Sequence, residues 1–442
     1  MVVDLLFVTV LVGTIFLYFL SGKNILSPTL VLFGIFTFST FWVVVNINYF
    51  GLDISFKTYF VIIFSLFAWG IGDFYAKYYY ERYKRKRPRF ILKYKIVPSN
   101  IVLIISTLIV SVGAIEEYFR FIKIGEFLGG KNFFSYYALA REYVVGAQNL
   151  DFNNMFAVSR SVGLLLTLSK IITYSFIVIF LFNTYYSGEK KYKYLIPVIV
   201  YFPILFFTTS RSSFLSFFSF CFLATILIRY QARGWGFRNY IVFKNLLIPV
   251  FVIVILFFAL GYIRENGTGN LFSTELVKNY IGKYSGSSIF GLNFKLNRPI
   301  PHGPFARETF PILYVILQKF GYHIKEIPLH NGFFYWKNNS SNIYTALWKP
   351  IIDFSILGML ITRIILGFLY GLFIRRFVYF RNSPYHIFGY VILPMIYFPL
   401  MLYFANDLFY YFFELKFLYT IIFLLVFQII VNKSKVLITD ES

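Results

Sequence analysis

Polar residues punctuate this chain only briefly between long apolar runs. Eleven such runs, near 3–20, 26–48, 58–76, 99–116, 162–183, 194–209, 212–229, 245–262, 352–374, 384–404 and 415–431, approach or exceed the length a helix needs to cross about 30 Å of hydrocarbon. The pattern predicts an all-α integral membrane protein with about eleven transmembrane helices. The runs at 194–209 and 212–229 are tightly joined. The boundary between them, Thr208-Thr209-Ser210-Arg211-Ser212-Ser213, reads as either a short outer turn or a dip into the membrane.

Two connections, 118–160 and 263–350, are much longer than the rest, and loops of that length are usually functional or separately folded. They are expected to be two large extracytoplasmic loops of a single polytopic domain. The second contains an apolar piece, Phe310 to Phe320, too short to span and expected to lie as a short helix on the membrane surface.

Composition agrees with the pattern. Of 442 residues, 58% are hydrophobic, 23% aromatic and 14% charged, with a mean hydropathy of +0.68. These values exclude a water-soluble enzyme and an extended disordered chain. The single cysteine, Cys221, lies within an apolar run, which removes a disulfide framework and a cysteine-rich metal site. The first apolar run lacks a basic leader and a small-residue cleavage site, so it reads as a span and not a signal peptide.

The net charge of +23 would suggest nucleic acid in a soluble protein. Here it follows the loops. If the densest basic stretch, Glu81 to Lys95, is cytoplasmic, alternation also places Lys190, Lys191, Lys193, Arg229, Arg233, Arg238, Lys244, Arg375, Arg376, Arg381, Lys433 and Lys435 inside. The N-terminus is then outside and the C-terminus inside. Most of the excess charge records orientation and contact with anionic lipid, and no nucleic-acid partner is expected.

The sharpest local signal is Arg211 among small hydroxyl residues between two apolar runs. An arginine there costs a few kcal/mol unless it is paired or reaches water, and its planar fork of donors suits a phosphate or diphosphate. The structural alternative is an interfacial arginine that snorkels at the end of a span. The stretch FFTTSRSSFLSFF (Phe206 to Phe218) resembles the Thr/Gly-Ser-Arg-Ser turn of the oligosaccharide repeat unit polymerases, often called O-antigen polymerases or Wzy-like proteins. The stretch SNIYTALWKPIIDFSILGML (Ser341 to Leu360) is similar to the part of that family that closes the large outer loop. It reads Asp353-Phe354-Ser355 where Asp-Phe-Gly is usual.

The resemblance implies transfer of a glycan from undecaprenyl diphosphate onto another lipid-linked repeat unit at the outer face of a bacterial cytoplasmic membrane, in O-antigen or capsule synthesis. It implies no cofactor and no metal, with a chain-length regulator and a flippase as further partners beside membrane lipid. Such a site must stabilise a leaving diphosphate and take a proton from an acceptor hydroxyl. Arg211 and Arg264 are the expected diphosphate holders, with Arg160, Arg298, Arg307 and Lys170 as further substrate-binding candidates. For Arg160, Arg298 and Arg307, ordinary loop solvation is the simpler account.

His302, His323 and His330 all fall in the second long loop. His330, in Leu329-His330-Asn331-Gly332, resembles a ligase element and is the expected general base. Glu116-Glu117 is the competing base or cation site, or an interfacial pair neutralised by Arg120 and Lys123. Lys170 and Arg363 lie within spans and could line a cavity, contact lipid diphosphate or meet internal carbonyls. Phe333 to Trp336 could stack on sugars or anchor at the interface. A lipid-linked oligosaccharide flippase and an O-antigen ligase are the rival functions.

Overall fold

The computed structural model describes residues 1–83, 94–140, 158–233, 274–300, 305–322, 332–336, 339–379, 386–432 and 435–437, apart from positions 23, 52, 132, 134 and 138. Among the described residues, eight helices are long and apolar enough to span a bilayer, consistent with an all-α membrane protein. They correspond to eight of the eleven apolar runs. The runs at 194–209 and 384–404 form shorter apolar helices, and 245–262 lies outside the described residues. Both shorter helices carry internal prolines, Pro203 in the one and Pro394 and Pro399 in the other.

The chain divides into two compact units, each assembled from three separate stretches. The first comprises Met1–Arg87, Phe272–Tyr379 and Ile396–Glu414. It holds α1 (Val2–Leu20), α2 (Pro28–Val45), α3 (Phe56–Tyr83), and then the second unit's elements intervene in sequence. That second unit comprises Pro88–Leu271, Phe380–Met395 and Leu415–Ser442. It holds β1 (Tyr94–Ile96), α4 (Asn100–Phe127), α5 (Arg160–Phe182), α6 (Ile196–Phe207) and α7 (Arg211–Arg233). The first unit resumes with α8 (Thr274–Leu296), α9 (Pro311–Lys319), β2 (Phe334–Trp336), β3 (Asn339–Ser341) and α10 (Trp348–Tyr379). Helix α11 (His386–Met401) is shared in sequence, and α12 (Leu415–Asn432) and β4 (Lys435–Leu437) belong to the second unit.

In the first unit, α1 carries Val8, Val12, Phe16 and Phe19 exposed along its length, a face for lipid tails and not for water. Its first turn is capped from a distance: the Asp53 carboxylate accepts from the amides of Val2 and Val3, each at 3.1 Å. Such a carboxylate satisfies orphan donors and matches the helix dipole.

The centre of the first unit is the contact of α3 with α10. A Cβ on Gly72 would overlap the Ile364 carbonyl, and one on Gly367 would overlap the Trp69 carbonyl, so the two backbones touch. Gly367 and Gly371 make a Gly-x-x-x-Gly pair, the spacing that lets membrane helices approach closely. Beside the seam the Asp73 carboxylate pairs with Arg375 at 2.8 Å and accepts from the Thr29 hydroxyl at 2.8 Å. Arg375 therefore serves an internal ion pair as well as contributing to loop charge. Trp69 is fully buried and meets Tyr370, Tyr403 and Phe409.

The described part of 263–350 holds a long helix as well as a short one. Helix α8 has 23 residues and packs along α2, where Ser39 donates to the Ser285 carbonyl and Gly286 sits against Val43. Its small residues Gly282, Ser285 and Gly286 permit that approach, a signal present in the sequence but hidden by intervening lysines and tyrosines. Helix α9 falls where the short apolar piece was expected, with Leu313, Val315 and Ile316 exposed. β2 and β3 pair antiparallel, with Phe334 opposite Ser341 and Trp336 opposite Asn339.

In the second unit, α5 is the central helix, buried nearly throughout from Ile171 to Phe182. Tyr174 stacks on Phe220 of α7 at 3.9 Å, and Gly113 of α4 closes against Ser169. Helix α4 continues to Phe127, so the first ten residues of the expected 118–160 loop are helical. Buried Asn183 exchanges both of its amide bonds with the Ile96 backbone, at 2.7 and 2.9 Å. This fixes β1, which pairs antiparallel with β4, Tyr94 opposite Leu437.

Gly367→Val should lower the melting temperature of the purified protein sharply, because overpacking costs about 1–3 kcal/mol even where side chains can yield and here a backbone must move. Gly34→Ala, which meets open space, should leave it nearly unchanged. A second expectation concerns acid. Burial pushes the Asp53 carboxyl up, but the amides of Val2, Ile54 and Val3 outweigh it and hold it below the usual value of 3.8. Its stabilisation is then present above that value and lost as pH falls through the folded one. Asp53→Asn should flatten the acid limb of a plot of melting temperature against pH; an unchanged limb would remove Asp53 from the account.

Candidate functional site

The turn between α6 and α7 is built from the aromatic residues that precede it. Phe207 packs on Tyr118 and Phe121 of α4, and Phe206 on Phe133 and Tyr137. Thr208 caps α6, and its hydroxyl returns to the Leu205 carbonyl at 3.0 Å. Thr209 then turns the chain with φ of 50°, a left-handed conformation uncommon for a β-branched residue. It is 2% exposed, and among the described residues its hydroxyl has no hydrogen-bond partner. Ser210 and Ser212 join hydroxyls at 2.7 Å, and α7 begins at Arg211. The boundary is thus a tight turn into a helix N-terminus, where backbone amides and the dipole favour an anion.

Other sequence candidates lie at this end of the second unit. Glu117, 1% exposed, binds Arg120 at 2.9 Å through Oε1, while Oε2 has no hydrogen-bond partner among the described residues. Glu116 is exposed, so the two neighbouring carboxylates do not act as a pair. Because Phe207 meets Tyr118 and Phe121, Glu117 and Arg120 belong to the same level as the turn.

Lys170 lies one turn before Tyr174, which packs against Phe217 and Phe220. Helices α5 and α7 both start from this end, so Lys170 is level with the first turns of α7. Its ammonium sits over the Tyr174 ring at 5.4 Å, and Lys416 of α12 is close enough to repel it. Arg160 is exposed at the start of α5. Arg160 and Arg211 therefore begin helices at one end of one unit, while Lys170 lies deeper, ten residues into α5 and about 15 Å along it.

Arg298 and Arg307 belong to the first unit. Arg307 is committed to the neighbouring carboxylate of Glu308 at 2.9 Å, which makes it a structural ion pair. Arg264 and His330 lie outside the described residues, as do His302 and His323. Arg363, 1% exposed, donates to the Ala346 carbonyl at 3.0 Å and lies over the rings of Tyr403 and Phe409. Of the alternatives open to it, the internal carbonyl applies. Phe334 and Trp336 are core residues against Phe294, Phe50 and Tyr344, leaving Tyr335 exposed. Among the described residues no three His, Cys, Asp or Glu side chains gather into a metal-ligating set.

The second motif explains itself structurally. Asp353 accepts from the amides of Glu308 and Thr309 at 3.1 and 2.6 Å, tying the loop back onto the start of α10. Ser355 holds φ 64° and ψ −178°, a region essentially reserved for glycine, and it kinks α10 there. Reading serine where the resembled family reads glycine thus leaves the kink in place and adds strain. Asp407, buried beside Arg363 in the first unit, is a carboxylate that sequence reading passed over. Burial raises its carboxyl above the usual range, partly opposed by Arg363 and Lys349.

Compared with family models, curated proteins and solved structures, the chain matches none. The resemblance therefore stands on the quoted residues alone.

Ser355→Gly should stabilise the protein by about 1 kcal/mol or more by releasing that strain. Melting in detergent measures it. A lower melting temperature for the glycine variant would show that the serine side chain contributes more than its backbone costs.

Proposed function

We propose that this chain is a membrane glycosyltransferase of the repeat unit polymerase type, working at the outer face of a bacterial cytoplasmic membrane with its N-terminus outside. The donor is a glycan on undecaprenyl diphosphate, and the acceptor is a second lipid-linked repeat unit. The bond between the anomeric carbon and the diphosphate oxygen breaks as the acceptor oxygen attacks from the opposite face, inverting the centre. The acceptor proton passes to a base, and undecaprenyl diphosphate leaves.

The observation that carries this reading is the strained Thr208–Ser213 turn, which starts α7 at Arg211, with Lys170 deeper on the neighbouring α5. In this scheme Arg211 and the first amides of α7 take the leaving diphosphate, with Lys170 adding charge from α5. Preorganised donors of this kind act where charge develops, and removing one typically costs 10²–10³ in rate. Arg264 and His330 keep their proposed roles as second diphosphate holder and base.

Purified protein supplied with lipid-linked repeat units in detergent should form polymer, read as a ladder on a gel. No compartments exist there, so absence of polymer would favour the flippase reading. Arg211→Ala should reduce chain formation on the order of 10²-fold. Ladders of normal length and yield from that variant, at normal abundance, would overturn the site.

A further inference from the structure

The last turn of α8 collects positive charge without an opposing carboxylate. Lys57, in the first turn of α3, donates from Nζ to the Leu296 carbonyl at 2.7 Å. Lys295 places its ammonium over the rings of Tyr344 and Trp348, 5.4 and 5.6 Å from their centroids. Arg298 stacks its guanidinium on Phe294 at 3.7 Å. Among the described residues none of the three cations has an ion pair.

This arrangement is costly in isolation. Burial, and after it the neighbouring Arg298, lowers the Lys295 ammonium from its usual range. A helix C-terminus does favour cations, by about 0.3–1 kcal/mol each at an exposed site. That effect suits the Lys57 contact with the Leu296 carbonyl. It does not explain why Lys295 and Arg298 hold rings instead of carbonyls. Tyr344 and Trp348 are almost fully buried and so hold Lys295 in place, while Lys57 and Arg298 are exposed and reachable. Aromatic faces orient the charges without neutralising them, which leaves their N–H donors free for a ligand.

We propose that Lys57, Lys295 and Arg298 at the end of α8 form a binding site for a phosphate group carried by a lipid, either a phospholipid headgroup or a polyprenyl diphosphate. A phosphate supplies the missing negative charge. Its tetrahedral oxygens accept from two ammonium groups, and the planar guanidinium can engage two of them at once. A carboxylate would offer less charge and fewer acceptors to three cations. The site is separate in sequence from the Arg211 turn, and the inference stands whether or not the polymerase reading does, because its test reads binding without turnover.

Full-length protein in detergent is titrated with inorganic pyrophosphate by calorimetry. In parallel, protein in nanodiscs of phosphatidylcholine with and without phosphatidylglycerol is examined for retained lipid by native mass spectrometry. Wild type should bind at least one probe, and Arg298→Gln and Lys295→Gln should each weaken that binding about tenfold, as loss of a charge-assisted hydrogen bond does. Arg298→Lys should recover part of it. An effect on pyrophosphate identifies the polyprenyl diphosphate as the ligand source, and an effect on phosphatidylglycerol alone identifies the headgroup. The Arg298 side chain is exposed, so Arg298→Gln is expected to melt like the wild type without ligand, and it decides the matter if Lys295→Gln does not fold. The proposal is overturned if neither probe binds, or if Arg298→Gln binds both as the wild type does.

Discussion

In a bilayer there is little hydrophobic reward for bringing two helices together, because lipid tails are as apolar as leucine. Close backbone approach and internal polar contacts must do that work. The contact between α3 and α10 meets this requirement with Gly72 and Gly367, each lying where any side chain would strike the opposite backbone. The Asp73–Arg375 pair beside it would be prohibitive in lipid if either partner stood alone, and together with Thr29 it ties α2, α3 and α10 at one point. The aromatic cluster of Trp69, Tyr370, Tyr403 and Phe409 fills the space next to that seam, and Arg363 rests on two of those rings. Much of the first unit's core is arranged around this crossing.

The second unit solves the same problem differently. Here α5 is surrounded, and its contacts are rings and small hydroxyls: Tyr174 on Phe220, Ser169 against Gly113. Order at its other end comes from Asn183, whose amide stands in for a strand and holds Ile96 by both backbone groups. The aromatic support of the α6–α7 turn permits Thr209 to keep a disfavoured conformation. A local cost of that kind persists only where neighbouring packing over-determines it.

Hydropathy made the long spans legible because length and apolarity alone suffice to recognise them, and eight runs are full-length helices. It could not find α8, whose lysines and tyrosines depress its hydropathy while its small residues do the packing against α2. Charge counting treated Arg375 only as a loop base, since the sequence does not reveal that Asp73, three hundred positions away, faces it. At the candidate site, the Thr208–Ser213 turn was recognisable from its small hydroxyl residues set between apolar runs. That Arg298 and Arg307 belong to a different unit from Arg211 was not, because alternation assigns loops to a side and says nothing of which unit they join. The role of Ser355 was visible only as a departure from glycine; its dihedral angles give that departure a physical meaning.

Both units are interleaved along the chain, and this bears on how the protein is made. Gly72 and Asp73 leave the ribosome roughly 300 residues before Gly367 and Arg375, an interval on the order of 15–60 s at ordinary bacterial rates of synthesis. Throughout that time α3 resides in the membrane with a notch matched to a helix that does not yet exist and a carboxyl group awaiting its guanidinium. The first half of the chain must therefore wait in a provisional state, with the Asp73 carboxyl unpaired by Arg375, until the second half arrives to complete it.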